Sequence, residues 1–183
     1  MSEEHLIQHC APTLAGIKSG SLFTCPCFSR EKFINQIRNL NKRLVPKGIR
    51  IVPMRYYNGK ALIYVYRPSM LSRDLSSKDA SRLLNHSGYS SGSCESCIAQ
   101  LIRRLQQEGR FPHEIGLFLG YPAEDVQGFI ENNACNCKCV GAWKVYGDEE
   151  FARKRFDQYK KCSQIYRNCW NSGCTLEQLA VTR

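Results

Sequence analysis

Phe33, Ile34, Ile37, Leu40 and Leu44 recur at intervals of three and four, which predicts an amphipathic helix over 30–44. Ser29 supplies its N-cap and Pro46-Lys-Gly48 ends it. Two strands are predicted next, over 49–57 and 60–66, joined by the hairpin dipeptide Asn58-Gly59. Upstream, Leu6, Ile7 and Cys10 give a short helix over 3–10, interrupted at Pro12 and resuming through Leu14 to Ile17. Ser19-Gly-Ser21 reads as a turn. Beyond the hairpin, 68–86 is helical or irregular with Ser77 as a cap, and 86–93 is a Ser/Gly-rich loop. A helix over 94–108 turns Cys97, Leu101, Ile102 and Leu105 inward. Pro122-Ala-Glu-Asp125 opens another, through Val126, Phe129 and Ile130 to about Asn132. Residues 140–146 read as a strand. Gly147 or Asp148 starts a last long helix with Phe151, Phe156, Tyr159, Cys162 and Tyr166 as its inner stripe. There is no internal repeat and no linker composition. The sum is a single α+β domain over 1–183, a small antiparallel sheet with several packed helices.

Composition narrows the class. The chain has 183 residues and a formal net charge of +10, with mean hydropathy −0.40. No apolar run approaches 18 residues, which argues against a membrane span. Met1-Ser-Glu-Glu-His5 lacks a basic, then apolar, secretory start, so a cytoplasmic protein with reduced thiols is expected. The positive charge favours an acidic partner: nucleic acid, an anionic surface, or an acyl carrier protein. Lysines and arginines are nevertheless spread, with no block of five.

Eleven cysteines stand in the chain, several in clusters: Cys25-Pro-Cys27, Cys94-Glu-Ser-Cys97, and Cys135-Asn-Cys-Lys-Cys139. Cys94 and Cys97 with Cys135, Cys137 and Cys139 form a candidate zinc or iron–sulfur ligand set, since tetrahedral thiolate sites need two close pairs. The C-x-C spacing is tighter than the usual C-x-x-C knuckle. His113 heads the apolar run Glu114-Ile-Gly-Leu-Phe-Leu-Gly-Tyr121, a placement that suits a general base.

Two resemblances add to this reading. His9-Cys-Ala-Pro-Thr-Leu-Ala-Gly-Ile-Lys18, Lys60-Ala-Leu-Ile-Tyr-Val-Tyr-Arg67, Pro112-His-Glu-Ile-Gly-Leu-Phe-Leu-Gly-Tyr-Pro122 and Trp143-Lys-Val-Tyr-Gly-Asp148 resemble an uncharacterised family found mainly in clostridial-type anaerobes. More distantly, His113 followed by an apolar run and Gly-Tyr is similar to the histidine strand of papain-like cysteine enzymes. That family includes thiotemplate enzymes, among them the amide-forming cysteine-protease homologue of closthioamide assembly. The resemblance implies a papain-like fold and a Cys–His–carboxylate site in that chain order. Cys10 is the nucleophile it favours, with Cys27 as the rival, His113 as base and Asp148 as the orienting group, Glu124 or Asp125 substituting.

The activity so implied is acyl transfer without a cofactor. The Cys10 thiolate would attack a thioester carbonyl, and an amine would release the acyl group as an amide. An acidic acyl carrier protein would suit the net charge as donor. Pro12 after Cys10 suggests a helix start whose N–H groups lower the thiol pKa and hold an oxyanion. The sequence departs from the papain-like pattern in having no Cys-Gly-x-Cys-Trp and no Asn-Ser-Trp.

Two alternatives stand beside it. One is the thiol-rich metal or redox protein. The other is DNA binding, because Glu114–Ile130 resembles a helix-turn-helix. Against this, the second helix presents Glu124, Asp125 and Glu131, and only Gln127 is suited to reading a base edge.

Overall fold

The hairpin forms at Asn58-Gly59, both residues left-handed, with φ of 45° and 69°. It joins β2 (Arg50–Tyr57) to β3 (Lys60–Tyr66) in antiparallel register, Tyr57 opposite Lys60 and Arg50 opposite Tyr66. A bulge at Pro53–Arg55 absorbs one extra residue. These coordinates are a computed structural model, which describes residues 1–90, 92–107 and 111–182.

A strand before the hairpin was not expected. Residues 19–21, read as a turn, lead into β1 (Gly20–Pro26), which pairs antiparallel with β3 and gives the sheet order β1-β3-β2. Ser21-Leu-Phe-Thr-Cys25 is too short and mixed to declare itself. The central β3, with Ala61, Ile63 and Val65 fully buried, supplies the template.

The backbone divides into two compact units, Met1–Met70 with Tyr159–Arg183, and Leu71–Gln158. Both boundaries fall within helices, α3 (Pro68–Leu75) and α8 (Glu149–Asn171), and not in linkers.

In the first unit, α1 (Glu3–Leu14) packs on β1 and α2 (Arg30–Leu44) packs on β2. The α2 helix keeps its predicted bounds and buries Phe33, Ile37, Leu40 and Leu44. Asn41 pins it to β2: its Nδ2 donates to the Ile51 carbonyl and its Oδ1 accepts from the Ile51 N–H, both at 2.8 Å. The α1 helix runs through Pro12, contrary to the expected break there. Leu6, Cys10 and Leu14 join Ile37, Leu44, Ile63 and Leu176 in one core.

Arg67 closes this unit. Only 1% exposed, it donates from Nε to the Thr13 carbonyl (2.6 Å) and from Nη2 to the carbonyls of Leu14 (2.6 Å) and Val181 (2.8 Å). A guanidinium can fork in this way across the end of α1, where the helix leaves its carbonyls unbonded and its dipole favours a cation. The short α9 (Leu176–Leu179) begins with a capping box at Thr175 and buries Leu176 and Leu179.

The second unit contains α4 (Lys78–His86), α5 (Cys94–Gln106), α6 (Ile115–Phe118), α7 (Ala123–Glu131) and a two-residue-stranded hairpin, β4 (Cys139–Val140) and β5 (Lys144–Val145). The α5 helix follows expectation, capped by Ser93 with Cys97, Leu101 and Leu105 buried; Glu108, its expected end, lies outside the described residues. The start of α8 shows a register different from that expected. Ala152 is fully buried and Phe151 is 44% exposed. Among the described residues no helix is long and apolar enough to cross a membrane.

Candidate functional site

The apolar run after His113 is not a strand. Ile115–Phe118 is one helical turn, closed by the Tyr121 N–H donating to the Gly116 carbonyl at 3.0 Å, with Gly120 left-handed at φ 73°. Four consecutive apolar residues lack the polar alternation of a half-buried strand, and two glycines permit the tight turn. Gly116 is also a close approach: a Cβ there would lie 2.7 Å from Val126 Cγ2. The histidine-strand feature of the papain-like expectation is therefore absent.

The direction of His113 is set by its neighbour. Glu114 points inward, 6% exposed, accepting from the Tyr89 hydroxyl at 3.0 Å with Arg104 Nη1 at 3.6 Å. The Arg104 guanidinium lies over the Tyr89 ring, 4.5 Å from its centroid. Burial, and then the Glu114 charge, pushes the Tyr89 hydroxyl well above the ordinary phenol range. With Glu114 held inside, His113 is exposed, its ring edge-on to Phe129 at 5.1 Å.

Asp125 holds the other wall. Its side chain, 2% exposed, accepts three N–H groups: Trp143 Nε1 at 2.6 Å on Oδ2, and the Tyr146 and Gly147 amides at 2.7 and 2.8 Å on Oδ1. One carboxylate on α7 thus fixes the β4–β5 hairpin and its indole. Trp143 stacks on Tyr121 (4.9 Å) and stands edge-on to Phe156 (4.6 Å). Between these walls lies a mainly apolar cavity of about 450 Å³, lined by Ile115, Leu119, Val126, Phe129, Val140 and Trp143, with His113, Tyr121, Asp125 and Lys144 as polar groups. Lys144 Nζ also donates to the Ala134 carbonyl at 2.7 Å.

The expected catalytic residues are divided between the two units. Cys10 belongs to the first unit, His113 and Asp148 to the second. Cys10 lies inside α1 with no exposure, away from any helix start. Burial pushes its thiol up to about 12, against the opposing effects of Lys18 and a hydrogen bond with Ser21. Cys27, half-buried, uses its amide on the Gly59 carbonyl (2.8 Å). Asp148 accepts the Phe151 amide at 2.9 Å, the bond of an ordinary helix N-cap. Glu124 accepts the Asp148 amide at 3.4 Å, and Asp125 is engaged by the three donors above. Among the described residues, none of these carboxylates hydrogen-bonds His113.

The alternatives fare as follows. Among the described residues, no group of three or more His, Cys, Asp or Glu side chains converges to hold a metal ion, so Cys94, Cys97, Cys135, Cys137 and Cys139 do not form the expected ligand set. The two helices of the helix-turn-helix reading exist as α6 and α7, but α6 has only four residues. Gln127, the candidate base reader, donates to Glu131 at 2.7 Å. Residues that sequence reasoning passed over, Tyr121, Trp143 and Lys144, build the cavity instead. Their one sequence signal was membership in the motifs Pro112–Pro122 and Trp143–Asp148.

A family model described as a protein of unknown function, DUF3793, matches residues 6–180. The chain belongs to DUF3793. The expectation of an uncharacterised family is met at that level. For this DUF3793 chain no curated protein and no solved structure gives a match, so no relative supports the papain-like fold.

Proposed function

We propose that this DUF3793 protein binds a small apolar molecule bearing an anionic group in the cavity of its second unit. The observation that carries the reading is a preformed, mainly apolar cavity whose wall carries two nitrogen bases, His113 and Lys144, beside Asp125 and Tyr121. Its volume lies within the range of about 300–1,000 Å³ usual for ligand sites. Asp125 has both carboxylate oxygens engaged by the N–H groups of Trp143, Tyr146 and Gly147, which turn them towards the hairpin. Lys144, with three donors and one recorded acceptor, retains capacity for an anion. The +10 net charge favours the same sign of ligand.

Acyl transfer through Cys10 draws less support. With a thiol near 12, roughly one molecule in 10⁵ carries a thiolate at pH 7. No cysteine is among the residues lining the cavity beside His113. An acyl carrier protein as donor rests on charge alone, and the cavity reading does not require one.

Trp143 provides the assay. In a Trp170→Phe background it is the sole tryptophan, and titration with 1-anilinonaphthalene-8-sulfonate, an aromatic anion, should quench it with one-to-one stoichiometry. Leu119→Trp, filling the cavity, should abolish binding, assayed there through the probe's own fluorescence. Lys144→Ala should weaken binding about tenfold, the loss of one charge-assisted hydrogen bond. Binding indifferent to Leu119→Trp would refute the proposal.

A further inference from the structure

The C-terminal end of α8 closes with a specific backbone arrangement. Gly173 is left-handed, φ 89°, and its N–H donates to the Trp170 carbonyl at 3.0 Å. The next amide, of Cys174, reaches back to the Cys169 carbonyl, also at 3.0 Å. This pair of bonds, one spanning five residues and one within it, is a Schellman cap, in which the side chains of the two outer residues commonly meet. Usually both are apolar. Here both are cysteines.

Three observations turn that coincidence into a site. The 3.0 Å bond between the two residues' backbones holds their Cα atoms near the separation of about 4.4–6.8 Å that a disulfide spans. Both side chains are half-buried and pack against the same first-unit core, with Trp170 beside them. Of the other thiols of this unit, Cys27 is half-buried beside β1, its amide tied to the Gly59 carbonyl, and three more are poorly placed to compete. Cys162 lies seven residues before Cys169 on a continuous helix, about 10 Å along the axis. Cys10 and Cys25 are buried.

We propose that Cys169 and Cys174 form a redox dithiol that closes to an intrachain disulfide across the α8 cap. The oxidant is a low-molecular-weight disulfide of the glutathione class. One thiolate attacks it, forming a mixed disulfide and releasing one small thiol. The second thiolate then attacks the protein sulfur of that mixed disulfide and releases the other. Two protein thiols are oxidised, one small disulfide is reduced, and the two protons leave on the small thiols. Because Cys174 immediately precedes Thr175, the cap of α9, the new bond ties the end of α8 to the start of α9.

The test uses the full chain, reduced and then equilibrated with graded ratios of oxidised to reduced glutathione, alkylated and digested with trypsin. Cys169 and Cys174 share the single tryptic peptide 168–183, separate from that carrying Cys162 and from those carrying Cys135, Cys137 and Cys139. The expected result is a peptide 168–183 lighter by two hydrogens and free of alkylation, appearing before any other thiol pair closes. The melting temperature should rise by roughly 5 °C on closure, as for a short cross-linked loop in a chain of this size. Gly173→Ala has open space for its methyl group but strains the left-handed cap, so about fivefold more oxidant should be needed. Peptide 168–183 recovered with both thiols alkylated or glutathionylated at oxidising ratios, or closure indifferent to Gly173→Ala, would overturn the proposal.

Discussion

In the first unit, the most deeply buried charge is Arg67, which donates to carbonyls at the end of α1 and in the C-terminal segment. In the second, the buried charges are Glu114 and Asp125, which accept from a phenol, an indole and two loop amides. Both arrangements satisfy polar groups that burial would otherwise leave without partners. Their effects on the surroundings differ. The arginine draws backbone ends together around a filled aliphatic core. The carboxylates hold a turn and a hairpin on either side of an aromatic-walled space. A buried cation here closes a core, and buried anions frame a cavity.

Thiol reactivity separates Cys10 of the first unit from Cys135 of the second most sharply. At pH 8 iodoacetamide should label exposed Cys135 early, and Cys10 only on unfolding. The raised thiol alone slows Cys10 roughly thousandfold relative to a normal cysteine, before its burial is counted. Peptide-resolved labelling checks this, and early Cys10 alkylation would return the acyl-transfer reading to the front.

Next in size is the clamp. Arg67→Met should destabilise the chain by about 3 kcal/mol in urea melts, since several carbonyls lose a charged donor. Arg67→Lys should recover only part of the loss, because an ammonium cannot fork as a guanidinium does. Probe binding measured well below the melting midpoint should be unchanged in both. Loss of binding there would erase the functional distinction between the units.

Asp125→Asn should cost somewhat less, about 2 kcal/mol, because one amide oxygen still accepts while the charge is lost. Here the larger readout is functional: the near-ultraviolet signal of Trp143 and probe affinity should both fall. Retention of both would show that the hairpin holds without its carboxylate.

The smallest effect concerns pH. The Arg43 hydrogen bond holds Glu177 down at about 2, against an ordinary value of 4.5. A depressed carboxylate stabilises the fold above its unfolded pKa, and that contribution is lost as pH falls from about 4.5 towards 2. With the pair largely exposed, screening limits the contribution to about 0.5 kcal/mol. Arg43→Ala should flatten that part of the acid-stability curve.

Elements specified by local chemistry were legible in the sequence. Ser29 and the Phe33–Leu44 periodicity set α2, Asn58-Gly59 set the hairpin, and Pro122 preceded α7 as expected. What needed long-range information was not. β1 exists because β3 offers it an edge, and the His113 run turns helical because Gly116 can press against Val126. The site suffered most. Asp125 and Trp143 are eighteen residues apart, and no periodicity announces that a carboxylate in one helix will receive an indole from a later hairpin. Cysteine and histidine, chosen for intrinsic reactivity, carried no information about burial, which is what raises the Cys10 thiol.

The first unit takes its sheet from residues before position 70 and its closing helices from residues after 158, with the whole second unit inserted between. On the ribosome, the inserted unit is therefore complete and free to fold while β1, β2 and β3 still await α9 and the carbonyl of Val181 that Arg67 binds. The nascent sheet must stay unfinished through the synthesis of 88 intervening residues. Its exposed apolar face is then the part of this polypeptide most in need of protection from aggregation during translation.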